Sequence, residues 1–229
     1  MTTRRLFLGA LPVAALTLAA CSTNRTAKEV LDSVGPPPEP ATPDDAIQAL
    51  VEGNARFATL APQVRDTADI ELLWTSGIDQ KQEPFASVLG CADSRLAPEI
   101  IFDQFVGDIF VVREAGNIAV SPTNLGSLEY GQAVLKSKVL VVLGHSNCGA
   151  VQAAYTNAEP GGNIQSVIDA IRPAIAGATS LEDAIMRNVR VVKDQIRKDS
   201  VILREAEQSE EFAIVGAYYD ITTAVVRFL

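Results

Sequence analysis

The chain is poor in the residues that most often carry chemistry. Its 229 residues include one histidine, His145, one tryptophan, Trp74, and three cysteines, Cys21, Cys91 and Cys148. It also lacks a basic stripe, and the net charge is −9. Without that electrostatic footprint, nucleic acid is not expected as a partner. There is no internal repeat. The apolar run between Leu6 and Ala20 holds Pro12 and is shorter than the ~20 residues needed to cross a bilayer. What remains is ordinary for a globular protein, with 48% hydrophobic and 21% charged residues. The length suffices for one sizeable core with extensions.

Residues 1–21 read as a signal peptide, with Arg4 and Arg5 ahead of the apolar run. The Arg pair before Leu6-Phe7-Leu8 resembles a twin-arginine signal, and Leu18-Ala19-Ala20-Cys21 resembles a lipobox. Cys21 is therefore the expected lipidation site. The protein is expected to be exported to the periplasm or cell envelope, held to the membrane by that lipid. Ordinary secretion and an uncleaved anchor are the plainer alternatives. Residues 22–42, with Gly35-Pro36-Pro37-Pro38, read as a Pro-rich tether. The globular domain is then 43–229.

That domain opens on Thr42-Pro43-Asp44-Asp45, an N-cap, a proline suited to the first helical position and acids suited to a helix start. Ile47, Leu50, Val51 and Phe57 predict the helix's buried stripe. Four apolar runs, Phe85–Gly90, Ile109–Arg113, Val139–Leu143 and Phe212–Ala217, predict strands covered on both faces. Helical patterns lie between them: Leu125, Leu128, Val134 and Leu135; Ile164 to Ile171, ending near Pro173; and Ile185, Val189, Val192 and Ile196 after a Ser180 cap. The fold class is thus α/β, a mainly parallel four-stranded sheet flanked by helices, with residues 224–229 as an antiparallel edge strand. Trp74 reads as a packing residue, Tyr219-Asp220 as strand-end structure and Glu205–Glu211 as a solvated surface segment.

Cys91 and Gly144-His145-Ser146-Asn147-Cys148-Gly149 each follow an apolar run, at the strand ends where open α/β sheets place their sites. Two thiolates and an imidazole suit zinc, and catalytic zinc commonly keeps a fourth position open. Gly90, Gly144 and Gly149 allow tight backbone around these ligands. Asp93 and Arg95 are two apart, so an extended segment would point them the same way. A carboxylate beside a metal can occupy its open position, and a bidentate Arg can hold it away. A Cys91–Cys148 disulfide is the competing reading in an oxidising compartment.

These motifs resemble those of the β-class carbonic anhydrases. Cys91-Ala92-Asp93-Ser94-Arg95 matches that family's Cys-x-Asp-Ser-Arg, and the His145 segment matches its Gly-His-x-x-Cys-Gly. Glu52–Phe57, Ile101–Gln104, Arg113–Asn117, Leu128–Tyr130 and Gly216–Asp220 are further similar stretches. The resemblance implies one zinc ion per subunit on Cys91, His145 and Cys148, with Asp93 and Arg95 as a catalytic dyad. It implies that Gln104 binds substrate or product, across a subunit interface. It implies reversible hydration of CO2 to bicarbonate by a homodimer or higher homo-oligomer, with the N-terminal helix on the neighbour. With His145 used on zinc, no second histidine is left as a proton shuttle. Arg113 and Tyr219 match two positions of an allosteric bicarbonate pocket found in some members. Val88 replaces its tryptophan, so no such pocket is expected. Hydrolysis of CS2 or COS on the same fold, and a non-catalytic zinc-stabilised assembly module, are the alternative functions.

Overall fold

The computed structural model describes residues 40–65, 67–75 and 80–229. The signal peptide, Cys21 and all but the last residues of the tether lie outside the described residues, as does the side chain of Trp74. Helices α1 (Pro43–Ala58) and α2 (Thr67–Thr75) precede strand β1 (Ala86–Gly90). Then come α3 (Pro98–Ile101), β2 (Ile109–Arg113), α4 (Pro122–Ala133), β3 (Val139–His145) and α5 (Gly149–Tyr155). Helices α6 (Gly162–Ile171), α7 (Leu181–Asp199) and α8 (Val201–Gln208) lead to β4 (Ala213–Asp220) and β5 (Val225–Phe228). The sheet order is β2-β1-β3-β4-β5. The first four strands are parallel, and β5 pairs antiparallel to β4.

Strands β1 and β3 are buried along their whole length, which is why they read as unbroken apolar runs. Strands β3 and β4 run past those apolar runs, to His145 and Asp220, because the pair stays in register through His145↔Tyr219. His145 is therefore a strand residue, not a loop residue.

Helix α7 covers the sheet with Ile185, Val189, Val192 and Ile196, all buried. Each such side chain contributes roughly 1.5–3 kcal/mol. The helix lies so close that a Cβ on Gly144 would stand 2.5 Å from Val189 Cγ2. Gly144 is thus demanded by helix packing, whereas Gly90 and Gly149 are uncrowded. Helix α4 stops at Ala133, and Val134 beyond it is exposed, so the predicted helix is shorter at its end. Glu207 is not merely solvated, as it pairs with Arg197 at 2.6 Å and accepts the Ile214 N–H.

Helix α1 starts at the expected cap, where Thr42 and Asp45 exchange hydrogen bonds of 3.1 Å between side chain and backbone N–H. Its buried seam is Ala46, Leu50, Gly53 and Asn54, while Val51 is 40% exposed. A Cβ on Gly53 would come within 1.8 Å of the Phe102 carbonyl oxygen, so backbone meets backbone there. Asn54 Nδ2 donates to Ile101 O and Ala224 O, and its Oδ1 accepts from Val226 N–H. This seam seats one face of α1 on its own chain, against Ile101, Phe102, Ala224 and Val226.

Candidate metal centre

Parallel pairing brings three ligand residues to one end of the sheet. Gly90 lies opposite Leu143, so Cys91, just past β1, stands beside the end of β3. His145 closes β3, and Cys148 caps α5. The His-x-x-Cys spacing thus spans a strand end to a helix start. One ligand atom from each of Cys91, His145 and Cys148 lies within 4.8 Å of the others. All three residues are buried, His145 completely.

Both cysteines are free, with their sulfurs 3.9 Å apart. A disulfide would need about 2.05 Å. Two sulfurs at about 2.3 Å from a tetrahedral zinc would stand about 3.8 Å apart. His145 Nδ1 lies 3.0 Å from Ser146 O, and a carbonyl only accepts, so Nδ1 carries the proton. The lone pair then sits on Nε2, which is buried without a hydrogen-bond partner. A buried nitrogen acceptor left open toward two sulfurs fits a borderline-soft cation such as zinc.

The two thiols titrate as one pair. A hydrogen bond from Cys148 drives Cys91 down to about 4 against the opposing effect of burial, with His145 and the Gly116 N–H assisting. Cys148 is pushed up, first by its bond to Cys91 and then by burial. A thiolate is the form that binds metal.

Asp93 and Arg95 meet in a turn rather than along a strand. The Arg95 N–H closes on Asp93 Oδ1 at 3.0 Å, a side-chain-to-backbone turn. The extended-strand expectation is therefore corrected, though the pairing survives. Arg95 Nε donates to Oδ1 at 2.9 Å and Nη2 to Oδ2 at 2.7 Å. That fork holds the Asp93 carboxyl well below the usual carboxylate range. Oδ2 stands 3.9 Å from His145 Nε2, so the carboxylate flanks the ligand cluster. Arg113 fastens the same turn, donating from Nε to Cys91 O at 3.0 Å and from Nη2 to Asp93 O at 2.5 Å.

Gln104 does not join this group in the single chain. Its Nε2 donates to Phe102 O at 2.8 Å, under α1. Sequence reasoning had not singled out Gly116 N–H, which donates to Cys91 Sγ at 3.2 Å. Asn188, which donates to Gly116 O at 2.8 Å, was also missed. The available signal was an asparagine on the buried face of an otherwise apolar helical stripe.

Fold and site together define an α/β protein with a Cys2His candidate metal centre at the carboxyl end of a parallel sheet. A family model described as carbonic anhydrase matches residues 86–226. A carbonic anhydrase of Mycolicibacterium smegmatis is 36% identical over 196 residues, 82% of this chain and 93% of that protein. Carbonic anhydrase 2 of Mycobacterium tuberculosis is 37% identical over 188 residues, 78% of this chain and 89% of its own length. Among solved structures, a Coccomyxa β-carbonic anhydrase in complex with acetazolamide superposes with a TM-score of 0.63 at 26% identity, over 80% of this chain and 86% of its own. The chain belongs to the carbonic anhydrase family, in its β class, and is an enzyme of that family.

Proposed function

We propose that this enzyme hydrates CO2 reversibly to bicarbonate and a proton, with one zinc ion per subunit held by Cys91, His145 and Cys148. One observation carries the reading: an unpartnered, fully buried imidazole nitrogen faces two free sulfurs beside an arginine-restrained carboxylate. When bound, zinc supplies Lewis acidity that makes a hydroxide nucleophile available near neutral pH.

The chain's own groups do the rest. Ser146 O fixes the tautomer of His145, so Nε2 is the ligating atom. Arg95 occupies both Asp93 oxygens and keeps the carboxylate turned aside from the ligands. Asp93 Oδ2, 3.9 Å from Nε2, is placed where it would accept a hydrogen bond from a hydroxide generated at that centre and so orient it toward CO2. With its single imidazole already engaged, the chain releases the proton through water, a tyrosine or a carboxylate.

Gln104 binds substrate or product in this reading only within a homodimer or higher assembly, since its amide is turned to Phe102 O in one chain. Ile100, Val106 and Val120, exposed by 61%, 62% and 63%, are apolar surface that such an assembly would cover. The N-terminal pattern supports export to the cell envelope, with Cys21 acylated and residues 22–42 as the tether. No helix among the described residues is long and apolar enough to cross a membrane.

The test is CO2 hydration by stopped flow with a pH indicator, alongside zinc content, on the purified chain. Near-stoichiometric zinc with acceleration over buffer is expected. Zinc-loaded protein without acceleration from neutral to alkaline pH would overturn the reading.

A further inference from the structure

Gly116 sits in a short 3-10 turn, Ala115–Asn117, with φ +73°. Glycine adopts that conformation readily and leaves it just as readily. Yet its N–H points at Cys91 Sγ, 3.2 Å away. Something must hold the turn in place, and two neighbours do. Ile171 Cδ1 of α6 lies 2.6 Å from where a Cβ would be, closing the space beside the glycine. Asn188 of α7 donates from Nδ2 to Gly116 O at 2.8 Å. Asn188 is 1% exposed, and its Oδ1 has no partner. On a face otherwise made of Ile185, Val189, Val192 and Ile196, a leucine would fill the place without an unsatisfied oxygen. What the asparagine adds at this place is its one donated bond.

We propose that Asn188 is a positioning residue for the metal centre, acting through the Gly116 turn to hold an N–H on the Cys91 sulfur. The inference rests on the reading of Cys91 as a metal ligand. An N–H···S bond draws charge from a thiolate and fixes the sulfur's direction. Partners of this kind alter metal affinity about 10- to 100-fold. The chain of contacts runs from α7 to the turn to the sulfur, across 72 residues of sequence between Asn188 and Gly116.

The test uses the full chain loaded with Co(II), whose sulfur-to-metal charge-transfer band reports the ligating thiolates, together with zinc competition against a chelator. Asn188→Leu, close to the same size, removes the donor. Asn188→Ala removes it with less bulk, should the leucine variant fail to fold. Val192→Ala, one turn along α7, loosens packing and leaves the hydrogen bond. Loss of the N–H raises the energy of the sulfur lone pair. The Asn188 variants should therefore shift the band to longer wavelength and weaken zinc about 10- to 100-fold. Val192→Ala should melt earlier with band and affinity unchanged. Wild-type band and affinity in a folded Asn188 variant, or the same shift in Val192→Ala, would overturn the proposal. A wild-type protein with no thiolate band would instead overturn the metal reading itself.

Discussion

Two buried polar clusters in this molecule invite comparison. Around α1, every polar group is matched. Asn54 donates both amide hydrogens to backbone carbonyls, and its oxygen accepts a backbone N–H. Asp103 accepts from Arg56 Nε at 2.6 Å, Arg65 Nη1 at 3.1 Å and the Gln63 N–H. At the sheet's carboxyl end, His145 Nε2, Asn117 Nδ2 and Asn188 Oδ1 are left unpartnered. Buried polar groups are normally satisfied, because an unmade bond costs about 1–3 kcal/mol. The first cluster is complete within one chain and serves the fold. The second is incomplete and calls for something from outside, which is the signature of a site.

The largest expected effect tests that division directly. Cys148→Ser should lose the bound metal and fall to the buffer rate of CO2 hydration, while the melting of the α1 cluster's variants stays independent of it. Metal analysis and stopped flow check both. If Cys148→Ser kept full zinc and activity, the incomplete cluster would not be the site.

Next comes Asn54→Ala, which orphans the Val226 N–H and two carbonyls. A loss of about 3 kcal/mol is expected, read by urea denaturation, with zinc affinity unchanged. Asp93→Ala should lower CO2 hydration about 10- to 100-fold at unchanged zinc content, because the carboxylate flanks the ligands without being one. A fall in zinc content matching the fall in rate would place Asp93 among the ligands.

The smallest effect belongs to Asp103. Burial works to raise its carboxyl, but Arg56, the Gln63 N–H and Arg65 more than offset that, and the net shift is downward. Asp103→Asn should destabilise by about 2 kcal/mol, less than the 3–5 kcal/mol of a fully buried pair, since both arginines reach water. A carboxyl whose folded value lies below its unfolded value adds stability that is fully present above the unfolded value, ~3.9. That stability is lost as pH falls toward the folded value. Wild type and Asp103→Asn should therefore converge in denaturation curves below about pH 4.

The two clusters also differ in how much of them the sequence discloses. Cys91, His145 and Cys148 stood out because soft ligands are rare in this chain and followed strand-like runs. The sheet was legible for the same reason, since buried parallel strands leave unbroken apolar segments. The Asp93–Arg95 pair was legible as a pair, but not its turn, because an aspartate side chain that captures a backbone N–H two residues on leaves no periodicity. The intrachain seat of α1 was not legible because it runs through Gly53 and Asn54, small and polar residues that a hydrophobic stripe omits. Gly116 and Asn188 were hidden for a related reason: each acts on a group distant in sequence, and only the folded chain sets them side by side.

The bond from Val226 N–H to Asn54 Oδ1 joins residues 172 apart, close to the full span of the described chain. Closing so long a loop carries an entropic penalty of about 4–5 kcal/mol. Helix α1 and the terminal strand β5 thus form a seam that zips last and opens first. Amide protons of β5 should exchange with deuterium sooner than those of β3, with the ligand-bearing interior still shut.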